Sequence, residues 1–136
     1  MSSQLNVDTI VDKAGSGGTN VKIGNTSTYV SDGGGATQNT VQGIAKVWNK
    51  TAANGESIED SFNIASLTDT DTGKQTHTFT NGFANTAFAS QTSVTNNNMD
   101  QQWTDSQTTT SCRTLAWDGS AYADVKQSLV IMGDLA

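Results

Sequence analysis

The sequence predicts an all-β protein, an antiparallel β-sandwich with a short-stranded N-terminal extension. Thr, Ser, Asn and Gln supply 56 of the 136 residues, against two Glu and five Leu, a composition poor in helix formers. Apolar residues, where they recur, do so with period two. Turn dipeptides separate the candidate strands at intervals of roughly ten residues. Pro is absent, so no ladder donor is lost along the chain.

Leu5-Asn6-Val7-Asp8-Thr9-Ile10-Val11 opens as a strand with Leu5, Val7, Thr9 and Val11 on one face and Asp8 on the other. Gly15 to Gly18 ends it. Val21-Lys22-Ile23 and Tyr29-Val30 are two shorter strands before Asp32-Gly33-Gly34-Gly35, a flexible joint with no side chains to pack. Residues 1–35 form a leader with too few apolar groups to fold alone, and residues 36–136 form the sandwich. Within the sandwich, Ile44 to Trp48 is a strand, Asn54-Gly55 a hairpin turn, and Ile58 to Ile64 a strand whose Ile58, Phe62 and Ile64 share one face. Asp69 to Gly73 is a polar turn. Lys74 to Thr80 follows, with Gln75, His77 and Phe79 on one face and three threonines on the other. After the Asn81-Gly82 turn come a strand from Phe88 to Thr95 and a non-periodic polar segment, Asn96 to Asp105. Thr108 to Trp117, a turn at Asp118-Gly119-Ser120, and Tyr122 to Met132 read as a long terminal hairpin.

Composition also bounds function. Leu, Ile, Val and Phe together number 24, too few for a generous core, while the net charge of −6 is too small for a self-repelling disordered chain. A chain of that kind folds by borrowing burial from copies of itself, so an obligate oligomer is expected. No apolar run of about 18 residues exists, so no membrane insertion is expected. Met1 to Asn6 has neither the basic nor the apolar region of a secretory signal. Cys112 is alone, which leaves no disulfide framework and no paired-cysteine zinc site. One Arg and six Lys, unclustered, give no nucleic-acid footprint.

The order of strand motifs adds a family. Gly43-Ile44-Ala45-Lys46-Val47-Trp48, then Ser61-Phe62-Asn63-Ile64-Ala65-Ser66-Leu67-Thr68-Asp69, then Thr72-Gly73 and Thr78-Phe79-Thr80, resembles the C-terminal module of fibre proteins of tailed bacteriophages, above all those of aquatic hosts. Leu5 to Ile10 resembles a "LxVDTI" segment upstream of that module. The resemblance implies a non-enzymatic virion component, an intertwined homotrimer assembled in the host cytoplasm and placed in the phage particle. Its leader would join other virion proteins, and its distal domain would contact host polysaccharide or an outer-membrane receptor. A capsid decoration or head fibre, a carbohydrate-binding module of a cellular protein, and a polysaccharide-cleaving fibre are the alternatives. Where the family strand alternates apolar residues, this chain carries Gln75 and His77, which points to a polar contact between copies.

Candidate chemistry is sparse, and no catalytic residue, cofactor or metal is assigned. An EF-hand frame starting at Asp69 fails, with Lys74 at the sixth position and Thr80 at the twelfth, so Asp69-x-Asp71-x-Gly73 is a polar turn. Glu56, Glu59 and Asp60 invite a glycosidase pair and equally fit a solvated strand edge. His77, the single histidine, would form a tris-imidazole site only if three copies met there. Trp48 and Trp117 read as core or interface anchors. Trp103 stands isolated in a polar stretch, and with Asn97, Asn98, Asp100 and Gln101 it forms the candidate receptor contact. Leu5, Val7, Ile10 and Val11 are the candidate trimerisation and attachment residues.

Overall fold

The computed structural model describes residues 28–30, 37–52, 55–94 and 101–136. They contain β1 (Thr28–Val30), β2 (Thr37–Asn39), β3 (Ala45–Thr51), β4 (Ile58–Phe62), β5 (Ile64–Asp71), β6 (Lys74–Phe79), β7 (Ala89–Val94), β8 (Gln101–Asp105), β9 (Ser111–Trp117) and β10 (Gln127–Met132). The chain divides into two compact units, Met1–Val41 and Gln42–Ala136. In the first, β1 pairs antiparallel with β2, Tyr29 opposite Gln38. The expected strands at 5–11 and 21–23, the residues Leu5, Val7, Ile10 and Val11 on the first of them, and the triple glycine lie outside the described residues.

The second unit holds two four-stranded antiparallel sheets, ordered β4-β3-β10-β7 and β5-β6-β9-β8. Alternation decides what each sheet buries. Val47, Asn49 and Thr51 of β3, Gln75, His77 and Phe79 of β6, and Gln127, Leu129 and Ile131 of β10 are buried, while their neighbours along each strand are mostly half-exposed or exposed. The two inner faces meet as in a β-sandwich. Val47, Phe79, Phe83, Phe88, Cys112, Leu129 and Ile131 form the apolar cluster between them. Phe83 anchors it, its ring centroid 4.7 Å from Phe88 and 5.4 Å from Phe79.

Four sequence expectations are corrected. Ile58 to Ile64 is two strands, because Asn63 adopts φ 59 between them. Asn tolerates that conformation better than other side chains, and here its amide is fully used: Oδ1 accepts from the Asn81 N–H at 2.7 Å and Nδ2 donates to the Lys46 carbonyl at 3.1 Å. The chain changes sheet at that point, so Ile64 packs on the core while Phe62 is left 54% exposed. The terminal hairpin is also not formed. β9 pairs with β6 and β8, and β10 with β3 and β7, so the two strands lie in opposite sheets and each is hydrogen-bonded on both edges. The polar segment ending at Asp105 contains strand β8, whose backbone pairs with β9.

The fourth correction concerns Gln75 and His77, which are interior to a single chain and not a contact between copies. His77 has both of its partners there, while Gln75 Oε1 is buried without a hydrogen-bond partner. Asn49 Nδ2 donates to His77 Nδ1 at 2.9 Å, which leaves the Nε2–H to donate to Thr114 Oγ1 at 3.0 Å. Thr51 Oγ1 accepts from the Gln127 N–H at 2.8 Å and donates to the Gln127 carbonyl at 3.3 Å. The Gln75 amide lies over Gly55, where φ is +76 and a Cβ would collide with Gln75 Nε2. The positive φ is the physical reason for glycine at this hairpin turn, and the Val125 carbonyl oxygen, 3.0 Å from that Cβ, adds to it.

Candidate functional site

Inward-facing residues of β9 are Cys112, Thr114 and Ala116, all fully buried. Leu115, between them, points to the outer face of its sheet and is nonetheless only 3% exposed. Its neighbours in the ladder are Lys74 on β6 and Trp103 on β8. After β9 the chain turns at Asp118, whose Oδ1 accepts from the N–H groups of Ser120 and Ala121 at 2.9 and 2.8 Å. It then returns along the strand end, with Ala123 N–H donating to the Ala116 carbonyl and Tyr122 bridged to Trp117. Gly73 permits this approach. Its φ is +67, and a Cβ would stand 2.7 Å from Ala123 N and 2.8 Å from the Ala116 carbonyl oxygen.

The return brings three aromatic rings together above Leu115. The Tyr122 centroid is 5.0 Å from Trp117, edge to face, and 6.1 Å from Trp103. All three rings are half-buried. Lys74 Nζ sits 4.5 Å from the Tyr122 ring centre, a cation–π contact. The group is rimmed by two ion pairs: Lys74 to Asp71 at 2.9 Å, and Arg113 to Asp105 through Nε at 2.8 Å and Nη2 at 2.7 Å. The Arg113 hydrogen bonds hold the Asp105 carboxyl below its ordinary range, and those of Lys74 and the Thr72 N–H do the same for Asp71. Both cations of the rim are therefore already matched by carboxylates. Such a surface combines half-buried aromatic rings with carboxylate oxygens able to accept hydrogen bonds from hydroxyl groups.

Trp103 is thus neither isolated nor in a loop. Gln101 opens β8 with its backbone paired to Trp117, while Asn97, Asn98 and Asp100 lie outside the described residues. Tyr122 and Lys74 were not among the residues the sequence singled out. Tyr122 was within reach, since a turn at Asp118-Gly119 sets residues 117 and 122 across its mouth, but nothing local links either residue to Trp103. Trp48, expected as an anchor, is 36% exposed on the other sheet.

The remaining candidates resolve simply. His77 is 1% exposed with both ring nitrogens bonded inside the chain, so it has no lone pair to offer a metal between copies. Burial pushes its pKa down to about 4, so the ring is neutral at pH 7. Cys112 is buried and its thiol is pushed up to about 12, an unreactive group. Glu59 is gripped by Lys126 at 2.6 Å and Lys50 at 3.2 Å, and these bonds lower its pKa, the opposite of what a proton-donating carboxyl requires. Asp71 belongs to the turn, accepting from the Thr72 N–H at 2.9 Å. Among the described residues no three His, Cys, Asp or Glu side chains converge as metal ligands do. Comparison with protein-family models, curated proteins and solved structures yields no match to this chain.

Proposed function

We propose that this chain is a non-catalytic attachment protein of a phage fibre, a homotrimer that contacts host-surface glycan through Trp103, Trp117 and Tyr122. The observation that carries the reading is the aromatic group itself: three half-buried rings gathered on the outer face of a sheet otherwise lined by Thr, Ser and paired charges. The strand-motif resemblance at residues 43–80 supports the fibre context. A carbohydrate-binding module of a cellular protein would use the same rings and differs by working as a monomer.

Binding of the wild-type chain and of Trp103→Ala to polysaccharide extracted from candidate host cells tests this, with urea midpoints recorded alongside. The variant is expected to lose about tenfold in affinity, or about 1.4 kcal/mol, under conditions where it stays folded. Equal affinity of the two proteins would remove Trp103 from the contact. Native mass separates the fibre from the cellular module, since a monomer of 14.2 kDa at every concentration is incompatible with a trimer.

A further inference from the structure

The outer faces of the two sheets differ, and the difference assigns a second surface. Among the described residues the exposed large hydrophobic side chains are Ile44, Trp48, Phe62, Val130, Met132 and Leu135. All six lie on β3, β4 and β10 or within three residues of their ends. Phe62, Trp48 and Val130 are cross-strand partners, one row in register across three adjacent strands. Met132 and Ala89 extend the apolar surface along β10 and β7. Contiguous exposed apolar groups of this kind mark an interaction surface in a folded protein.

We infer that this face docks a second copy of the same chain. Charge is the first argument. The chain carries −6, so copies repel on approach through most of their surface. Here the charges beside the apolar row cancel: Lys50 stands opposite Asp60, and Glu59 bridges Lys50 and Lys126. A strongly acidic or basic partner finds no net field to draw it, whereas a copy meets no net like charge. Size is the second argument. Four strands about 4.8 Å apart and about six residues long at about 3.4 Å each give a footprint of roughly 400 Å². That is about half of the roughly 800 Å² each partner supplies to a standard interface. The contact is therefore reversible and concentration-dependent when it acts alone. It relies on the proposed homotrimer only for stoichiometry.

Sedimentation velocity of the full chain from micromolar to millimolar concentration tests it, with Phe62→Asp, Val130→Lys and Thr68→Asp. Phe62 is 54% exposed on an edge strand, so its replacement leaves the fold intact. Val130→Lys lowers the net negative charge of the chain, so a loss of association there cannot come from added long-range repulsion between copies. Thr68→Asp places the same new charge as Phe62→Asp on the opposite sheet. The wild type is expected to associate and to dissociate on dilution. The first two variants should raise the dissociation constant at least tenfold, and Thr68→Asp should leave it unchanged. Association of Phe62→Asp and Val130→Lys at wild-type strength overturns the inference. So does a wild type that stays monomeric at millimolar concentration, or one that binds phosphatidylcholine vesicles without self-associating. A dimer lost in both variants keeps this face and removes the trimer; a trimer insensitive to both does the reverse.

Discussion

The space between the two sheets has two ends of different chemistry. Along β3 the buried residues run Val47, Asn49, Thr51; along β6, Phe79, His77, Gln75; along β10, Ile131, Leu129, Gln127. All three strands pass from apolar to polar in the same direction. At one end Phe79, Phe83 and Phe88 need only volume to fill, because aromatic edges and faces satisfy each other. At the other, each polar atom needs a partner, since an unpaired buried group costs about 1–3 kcal/mol. The polar end also carries an apolar group outside the sheet: Leu115 under Trp103, Trp117 and Tyr122 lies in the ladder beside the Gln75 and Thr114 pair. The end with the polar interior is therefore buried from outside as well as from within.

The largest effect belongs to the apolar end. Phe83→Ala should lower stability by about 3–5 kcal/mol, the usual cost of deleting a buried aromatic ring and leaving a cavity. Urea unfolding measures it directly. Phe83 lies in the connection between β6 and β7, and its N–H donates to the Thr109 carbonyl at 2.7 Å, a backbone bond that alanine keeps, so the loss reads the ring itself. A loss below about 1.5 kcal/mol, the range of volume-conserving core changes, would show that the phenylalanine end is not the rigid one.

The polar end is read out by pH. His77 has an ordinary pKa of 6.5 and a folded pKa of about 4. Between those values the unfolded chain binds a proton that the folded chain refuses, so stability is complete above about pH 6.5 and falls as pH drops toward 4. The total loss is on the order of 3 kcal/mol. Asp71, Asp105, Asp118 and Glu59 have lowered pKa values, so their contributions disappear at still more acidic pH. As the chain has one histidine, the slope between about pH 6.5 and 5 is His77's own. His77→Gln should flatten that stretch of the profile. A wild-type profile already flat there would mean that the polar end opens to water.

Local pattern made much of this fold readable. Alternation in Lys74 to Thr80 identified Gln75, His77 and Phe79 as one face, and the glycine turns at Gly55, Gly73 and Gly119 have the positive φ that favours glycine. What that face meets was not local. Asn49 and Thr114, the partners of His77, are 28 and 37 residues away, so two polar residues on a buried face read as a gap in the core. The sheet change at Asn63 was hidden for a similar reason, since the bonds that hold it reach Asn81 and Lys46. Of the candidate site, Trp103 stood out by its polar surroundings, while Tyr122 joins it only because β8 and the segment after β9 meet across the sheet.

The smallest expected effect lies on the outside of the polar end and completes the contrast between neutral interior and charged rim. Arg113 grips Asp105 through two hydrogen bonds, but the two side chains remain 31% and 35% exposed. Water and salt screen a pair in that position, so Asp105→Asn should cost no more than about 1 kcal/mol. Added salt should narrow the difference further, because wild type and variant then differ by less Coulomb energy. The same substitution frees a guanidinium at the edge of the three rings, so any glycan contact there should shift toward anionic sugars while stability hardly moves. If Asp105→Asn instead costs more than protonating His77 by acid, the rim and not the interior holds the polar end together.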